Sequence, residues 1–196
     1  MREADPIVGA LIEQHGPYRP RPSGEPYAAL VRSIMYQQLA GPAAAAILGR
    51  LNALHGDADR IPTAEELLST SEAQFREAGV SRQKTRYLRD LAEQVAAGRL
   101  RFRGLDRLDD ETVIERLTGV KGVGEWTAQM FLMFQLGRPD VLPTGDLGVR
   151  RGMQLAYGLR EPVTPAQAQQ IGKPWAPYRS VGSWYMWRVA ETQTPA

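Results

Sequence analysis

No cysteine occurs among the 196 residues, so disulfides, iron–sulfur clusters and thiolate zinc sites are excluded. Histidine is scarce too: His15 and His55 are the only two, too few for a histidine metal site. Of the 24 basic residues only Lys84, Lys121 and Lys173 are lysine, and the other 21 are arginine. No apolar run approaches the ~18 residues that a membrane span needs. The opening Met1-Arg2-Glu3-Ala4-Asp5 leads into no apolar stretch of the kind a secretory signal requires. The chain is therefore expected in the cytoplasm, without redox chemistry and without a membrane partner.

What is present fits a globular fold. Hydrophobic residues make up 43 % of the chain and charged residues 23 %, enough for a packed core and an ordinary surface. The length suits one domain or two small lobes. Net charge is only +2, but the arginines cluster, with Arg82, Lys84, Arg86 and Arg89 in one stretch and Arg99, Arg101, Arg103 and Arg107 in the next. Guanidinium forks match phosphate oxygens. A solvated face is the plain alternative, so charge permits nucleic acid without showing it.

Helix signals recur along the chain and strand signals are almost absent. Asp5-Pro6 places a capping side chain before a first-turn proline, and apolar Ile7, Val8, Leu11 and Ile12 follow. Tyr18 to Gly24 reads as an extended arm. Leu30, Val31, Ile34 and Met35 repeat with helical spacing from Pro26 to about Leu39; Gly41-Pro42 breaks the pattern before a helix from Ala43 to Leu54. Thr63-Ala-Glu-Glu66 and Ser71-Glu-Ala-Gln74 are capping boxes, and Ser81 opens a longer helix that Gly98 ends. Further helices are expected over 110–117, 125–136, 146–157, 165–171 and 177–189. The fold class is all-α.

The most informative segment is Leu117-Thr-Gly-Val-Lys-Gly-Val-Gly-Glu-Trp-Thr-Ala128. One amphipathic helix runs into the turn Lys121-Gly122-Val123-Gly124 and a second helix starts at once, with Val120 and Val123 stapling the two. The amides of Gly122, Val123 and Gly124 are expected to face outward at a helix start, where they suit a DNA phosphate. Tight helix–helix turns use glycine as well. Asp146 follows 22 residues after Gly124, in Val141-Leu-Pro-Thr-Gly-Asp-Leu-Gly-Val149. By itself such an aspartate is a helix N-cap, a role compatible with chemistry because a helix start stabilises an ionised carboxylate.

Hairpin and downstream aspartate together resemble the helix-hairpin-helix (HhH-GPD) DNA glycosylase superfamily. Lys121-Gly-Val-Gly-Glu-Trp-Thr-Ala128 is similar to its 3-methyladenine DNA glycosylase II branch. So are Ile34-Met-Tyr-Gln-Gln-Leu-Ala40, Ser81-Arg-Gln-Lys-Thr-Arg-Tyr-Leu88, Lys173-Pro-Trp175 and Arg179-Ser180. The likeness spans about residues 25 to 190.

The resemblance implies two helical lobes around a DNA-binding cleft, one over 26–138 with the hairpin unit near 110–136. The other joins 1–25 to 139–196 and carries the catalytic aspartate. Longer relatives carry an added N-terminal β domain, for which this chain has no room.

The resemblance also implies a monomeric enzyme of base excision repair that flips alkylated bases, of the 3-methyladenine and 7-methylguanine type, out of double-stranded DNA. Asp146 would be its catalytic carboxylate, and no paired general acid is evident. Bifunctional relatives carry a lysine nucleophile at the position of Trp126, so hydrolysis by water is expected here. Trp126, Met130 and Trp187 would form the base pocket, with Trp184, Trp175 and Tyr185 as further candidate rings, although tryptophan is also ordinary core. Gln38, beside Gln37 and Leu39, would be the wedge that fills the duplex, unless these residues merely end their helix. Lys121, Gly122, Val123 and Gly124 would bind DNA. No side-chain metal site or other cofactor is expected, and a monovalent cation in the hairpin is the one ion that relatives suggest. The competing readings are a non-catalytic helix-hairpin-helix DNA-binding protein, a bifunctional lyase and a helical scaffold. Among lesions, 1-methyladenine, 3-methylcytosine and hypoxanthine stay open beside the two methylated purines.

Overall fold

Short-range capping decides where most of the helices begin. In the computed structural model, which describes residues 1–18 and 24–192, the chain forms eleven α-helices and no strand among the described residues. They are α1 (Pro6–His15), α2 (Pro26–Tyr36), α3 (Gly41–Ala53), α4 (Ala64–Ser69), α5 (Glu72–Glu77), α6 (Arg82–Ala96), α7 (Asp110–Thr118), α8 (Glu125–Phe134), α9 (Leu147–Ala156), α10 (Pro165–Gly172) and α11 (Arg179–Thr192). Asp5, Thr63, Ser71, Ser81, Asp109, Asp146 and Thr164 each accept a backbone N–H at the start of the helix that follows. Thr63 and Ser71 form complete capping boxes with Glu66 and Gln74, as their spacing implies.

Several boundaries differ from the sequence expectation by a few residues, and those of α2 and α3 show why. Gly41-Pro42 is not a break: α3 starts at Gly41, because proline's missing N–H is no loss in a first turn. Helix α2 stops at Tyr36 rather than near Leu39, since Gln37 is extended (ψ 131°) and Gln38 is left-handed (φ 55°). Short 3-10 turns at Leu105–Arg107 and Lys173–Trp175 carried no sequence signal. The arm expected over 18–24 falls on residues 19–23, which lie outside the described residues.

The chain divides into a terminal unit, Met1–Pro22 with Leu132–Ala196, and a central unit, Ser23–Phe131. The second boundary lies inside α8, seven residues ahead of the expected 138. Phe134 explains the shift, for its ring stacks on Trp187 at 5.8 Å within the terminal unit.

In the central unit α2 packs on α3 and α6, and α4 and α5 pack on α6. Leu30, Ile34, Met35, Leu51, Leu67, Phe75, Leu88 and Leu91 are buried there. In the terminal unit α9 lies along α11, with α1 and α10 beside them. The core is Val8, Leu142, Val149, Met153, Val163, Ala168, Trp175, Tyr185 and Met186. Gly152 makes the α9–α11 contact possible: a Cβ there would meet the Met186 carbonyl oxygen at 2.0 Å.

The terminal unit is tied together at Asp5. Its Oδ1 accepts the amides of Ile7 and Val8 at 3.0 and 3.2 Å. Its Oδ2 accepts the Trp175 indole at 2.8 Å and the Tyr157 hydroxyl. Burial alone would raise its pKa, but the bonds from Tyr157, Trp175 and the two amides outweigh burial and hold the carboxyl below its ordinary value. A carboxyl whose folded pKa is depressed contributes stability above its unfolded value and loses it as pH falls through the folded value. Asp5→Asn turns an amide NH2 or a weaker acceptor toward groups that all donate, and should cost ~2–4 kcal/mol at pH 7. Denaturant unfolding should show the gap between wild type and variant shrinking in acid, with Asp5 protonated in both folded and unfolded wild type.

Candidate active site

The irregular passage Val141–Pro143 ends in a tight turn, where the Thr144 amide donates to the Leu142 carbonyl and the Asp146 amide to that of Pro143, both at 2.9 Å. That turn delivers Asp146 to the first residue before α9. Asp146 is 9 % exposed, and its Oδ1 accepts the Val149 amide at 2.7 Å as an N-cap. The same oxygen accepts the Trp187 indole N–H at 2.9 Å from α11. The carboxylate is thus oriented by the start of its own helix and by a ring on another. Gly148 makes room for that ring, since a Cβ there would lie 2.8 Å from Trp187 Cδ1. The sequence reading passed over Gly148; its only signal was the repeated glycine of Gly145-Asp-Leu-Gly148. Leu147, next to the carboxylate, is 74 % exposed.

Two other carboxylates of this unit, Asp140 and Asp5, are already engaged. Asp140 takes a two-pronged ion pair from Arg179, at 2.7 and 2.9 Å, and Asp5 is committed as described. Of the rings considered for a pocket, Trp175 and Tyr185 are core residues bonded to Asp5 and to the Gly16 carbonyl. Trp184 stacks on Tyr18 at 4.7 Å and carries the Arg188 guanidinium on its face. Those three are corrected to packing roles.

In the central unit, Trp126 and Met130 on α8 line one pocket of about 460 Å³ with Tyr36, Gln37, Gln38, Ser33 and Thr127. Trp126 is 50 % exposed and presents its ring there. Tyr36, absent from the sequence expectation, adds a second exposed aromatic. It stands one helical turn after Arg32 on an otherwise apolar helix, a weak signal in hindsight. The structure therefore groups Trp126, Met130 and Gln38 in the central unit, and Asp146 with Trp187 in the terminal one.

Gln38 is exposed and is the only non-glycine with positive φ among the described residues. A side chain held left-handed costs ~1–2 kcal/mol, which surrounding structure must offset. Gln38→Gly removes that strain and adds ~0.5–1 kcal/mol of unfolded-chain entropy, so stability should change by less than about 1 kcal/mol. Thermal unfolding of the variant checks this.

The 121–124 hairpin is a tight turn with Val120 and Val123 buried, as the staple requires. One expectation is corrected: the Val123 amide donates to the Val120 carbonyl at 3.0 Å, so it closes the turn instead of facing an anion. The amides of Gly122 and Gly124 have no such bond among the described residues. Gly122 has φ 83°, and a Cβ on it would strike the Tyr87 ring at 2.2 Å. Lys121 pairs through Nζ with Asp90 at 3.0 Å, and its amide donates to the same carboxylate at 3.0 Å. Burial pushes Asp90 up, but the bonds from Lys121 and Gln94 prevail and lower it. Asp90 lies 31 positions from Lys121, and no local pattern announced it.

The arginine stretch divides by function. Lys84 and Arg89 turn inward to the carbonyls of Met35 and Thr70, both at 2.6 Å. Arg82 and Arg86 are exposed and line a groove with Arg76 at the start of α6. No group of three His, Cys, Asp or Glu among the described residues could hold a metal ion. The hairpin carbonyls of Gly119, Val120 and Gly122 each accept one hydrogen bond, from Gln94, Val123 and Gln37. Backbone carbonyl oxygens are the donor type that a monovalent cation takes.

Comparison with known proteins agrees in family and fold. The family model described as HhH-GPD superfamily base excision DNA repair protein matches residues 31–177. DNA-3-methyladenine glycosylase 1 of Schizosaccharomyces pombe is 35 % identical over 185 residues, covering 92 % of this chain and 81 % of the relative. A crystal structure of DNA-3-methyladenine glycosidase from Bacillus halodurans superposes with a TM-score of 0.88 at 42 % identity, covering 97 % of this chain and 87 % of that one. A Schizosaccharomyces pombe 3-methyladenine DNA glycosylase in complex with abasic DNA gives a TM-score of 0.83 at 34 % identity, covering 95 % and 92 %. No helix among the described residues is long and apolar enough to cross a membrane.

Proposed function

The chain belongs to the HhH-GPD superfamily of base excision DNA repair proteins, and from that premise we propose that it excises alkylated bases from duplex DNA by hydrolysis of the N-glycosidic bond. The observation that carries the reading is Asp146: a carboxylate almost withdrawn from solvent, with one oxygen held in place by the Val149 amide and the Trp187 indole. Relatives named as DNA-3-methyladenine glycosylases supply the lesion class.

The chemistry follows from the parts. The target nucleotide must leave the stack before its C1′ can be reached. Gln38, at the exposed left-handed turn, fills the space left behind. Trp126 and Tyr36 offer electron-rich faces to a base that methylation at N3 or N7 has made cationic. As the bond to C1′ breaks, positive charge grows on the sugar, and the Asp146 carboxylate stabilises it. The departing base is neutral once it carries the bonding electrons, so it needs little protonation. Water then adds to C1′ and loses its proton, leaving an abasic site. Trp126 holds the motif position that is a lysine in the bifunctional relatives, and an indole cannot form a Schiff base, so on this reading the strand stays intact.

Backbone amides of Gly122 and Gly124 bind a phosphate and read no sequence. A Cβ on Gly124 would meet nothing within 4 Å, so Gly124→Leu should fold normally. It should weaken binding to every duplex by a similar factor, about tenfold, measured by fluorescence anisotropy at moderate salt. A monovalent cation on the hairpin carbonyls belongs to the same proposal, and the protein is read as acting as a monomer.

A panel of duplexes, each with one lesion, tests substrate class and mechanism together. Release is expected from 3-methyladenine and 7-methylguanine, with no adduct trapped by borohydride. A trapped covalent adduct would make the enzyme a lyase; release confined to neutral lesions would make the alkylbase assignment wrong.

A further inference from the structure

The loop after α2 and the 121–124 hairpin are far apart in sequence, yet they are braced against each other inside the central unit. Gln37 Nε2 donates to the Gly122 carbonyl at 2.8 Å across 85 positions. Lys84 Nζ donates to the Met35 carbonyl at 2.6 Å, capping the end of α2 just before the turn. Partial burial holds the Lys84 ammonium below its ordinary pKa, so this is a lysine turned inward rather than a surface charge. On the same stripe of α6, at helical spacing, Tyr87 lies under Gly122 and Asp90 grips Lys121. One helix face therefore holds the end of the Gln38 turn with one residue and the hairpin with two others.

We propose that Lys84 and Gln37 are positioning residues that hold the strained Gln38 turn at a fixed offset from the hairpin, so that the side chain entering the duplex meets the base step set by the phosphate bound at the hairpin. The inference rests on the proposed base-flipping activity. A left-handed glutamine needs support, and these two bonds hold the residues that lead into it: Lys84 fixes the carbonyl of Met35, three residues ahead, and Gln37 is tied to the Gly122 carbonyl immediately before the turn. Neither group needs to touch the lesion. Their effect should fall on the step in which the base is displaced from a paired duplex, not on cleavage of the bond once the base is out.

Single-turnover base release separates these steps. Two duplexes are used, with 7-methylguanine opposite cytosine or opposite an abasic-site analogue, where there is no pairing to break. Lys84→Met keeps the stem and removes the donor. It should lower the rate on the paired duplex about tenfold, and on the unpaired duplex less than about twofold. Lys84→Arg, which can still donate to the Met35 carbonyl, should recover most of the paired rate. Gln37→Glu places a carboxylate against the Gly122 carbonyl and should lose more on the paired duplex than on the unpaired one. Combined with Lys84→Met it should lose less than the product of the single losses, because both changes release the same turn. Should Lys84→Met fail to fold, Gln37→Glu carries the test alone. Equal losses on both duplexes, or none on either, would overturn the proposal. Wild type inactive on both would instead overturn the glycosylase reading.

Discussion

Asp146→Asn should lower single-turnover base release by about a thousandfold, equivalent to ~4 kcal/mol of transition-state stabilisation, while leaving the protein folded and DNA-bound. The folded state should tolerate it because asparagine is as good an N-cap as aspartate. Its side-chain oxygen can still accept the Val149 amide and the Trp187 indole. What is lost is the negative charge, which on the proposed mechanism only the transition state requires. Thermal unfolding should therefore shift by no more than the ~1 kcal/mol of a weakened cap, and anisotropy on lesion-free duplex should be unchanged. Retention of most of the activity would assign the charge to another group. Asp5 and Asp140, the other carboxylates discussed in the terminal unit, are each occupied by hydrogen bonds that hold the fold.

Trp126→Leu is expected to have the second largest effect. The ring is half exposed in a pocket that it shares with Tyr36 and Met130, an arrangement suited to stacking a flat ligand. Leucine keeps apolar contact and removes the π face. The rate should fall about tenfold to a hundredfold on 7-methylguanine, matching ~1–3 kcal/mol of stacking and cation–π attraction. On hypoxanthine, which carries no charge, the loss should be smaller because only stacking disappears. Single-turnover rates on the two lesions give the comparison directly. Equal losses would assign the pocket to shape and stacking alone, and no loss on either would make Trp126 a surface residue of no consequence to the base.

Much of this was legible in the chain because the signals are local. A capping side chain reaches an amide two or three residues away, so Asp5, Thr63, Ser71 and Ser81 announce their helices without tertiary help. The same locality makes Lys121-Gly-Val-Gly124 readable as a hairpin. The amide count failed there because the Val123 N–H is spent on closing the turn, a bond that residue types alone do not announce. Gly41-Pro42 misled for a related reason: the pair breaks a helix from within and starts one from its edge. Contacts between distant segments left no trace. The Trp187 bond to Asp146, the Asp90 latch on Lys121 and the Gln37 brace on Gly122 span 41, 31 and 85 positions. Gly152 and Gly148 read as weak helix positions in sequence; in the fold they are the places where a Cβ would collide with Met186 or Trp187.

The proposed function requires that this chain release alkylated purines from DNA, and do so by hydrolysis. Duplex DNA treated with a methylating agent, incubated with the wild-type protein and analysed by chromatography of the free bases, tests it most directly. 3-Methyladenine and 7-methylguanine should be released well above the spontaneous rate, with abasic sites left in unbroken strands. Free bases no more abundant than in DNA incubated without protein would contradict it.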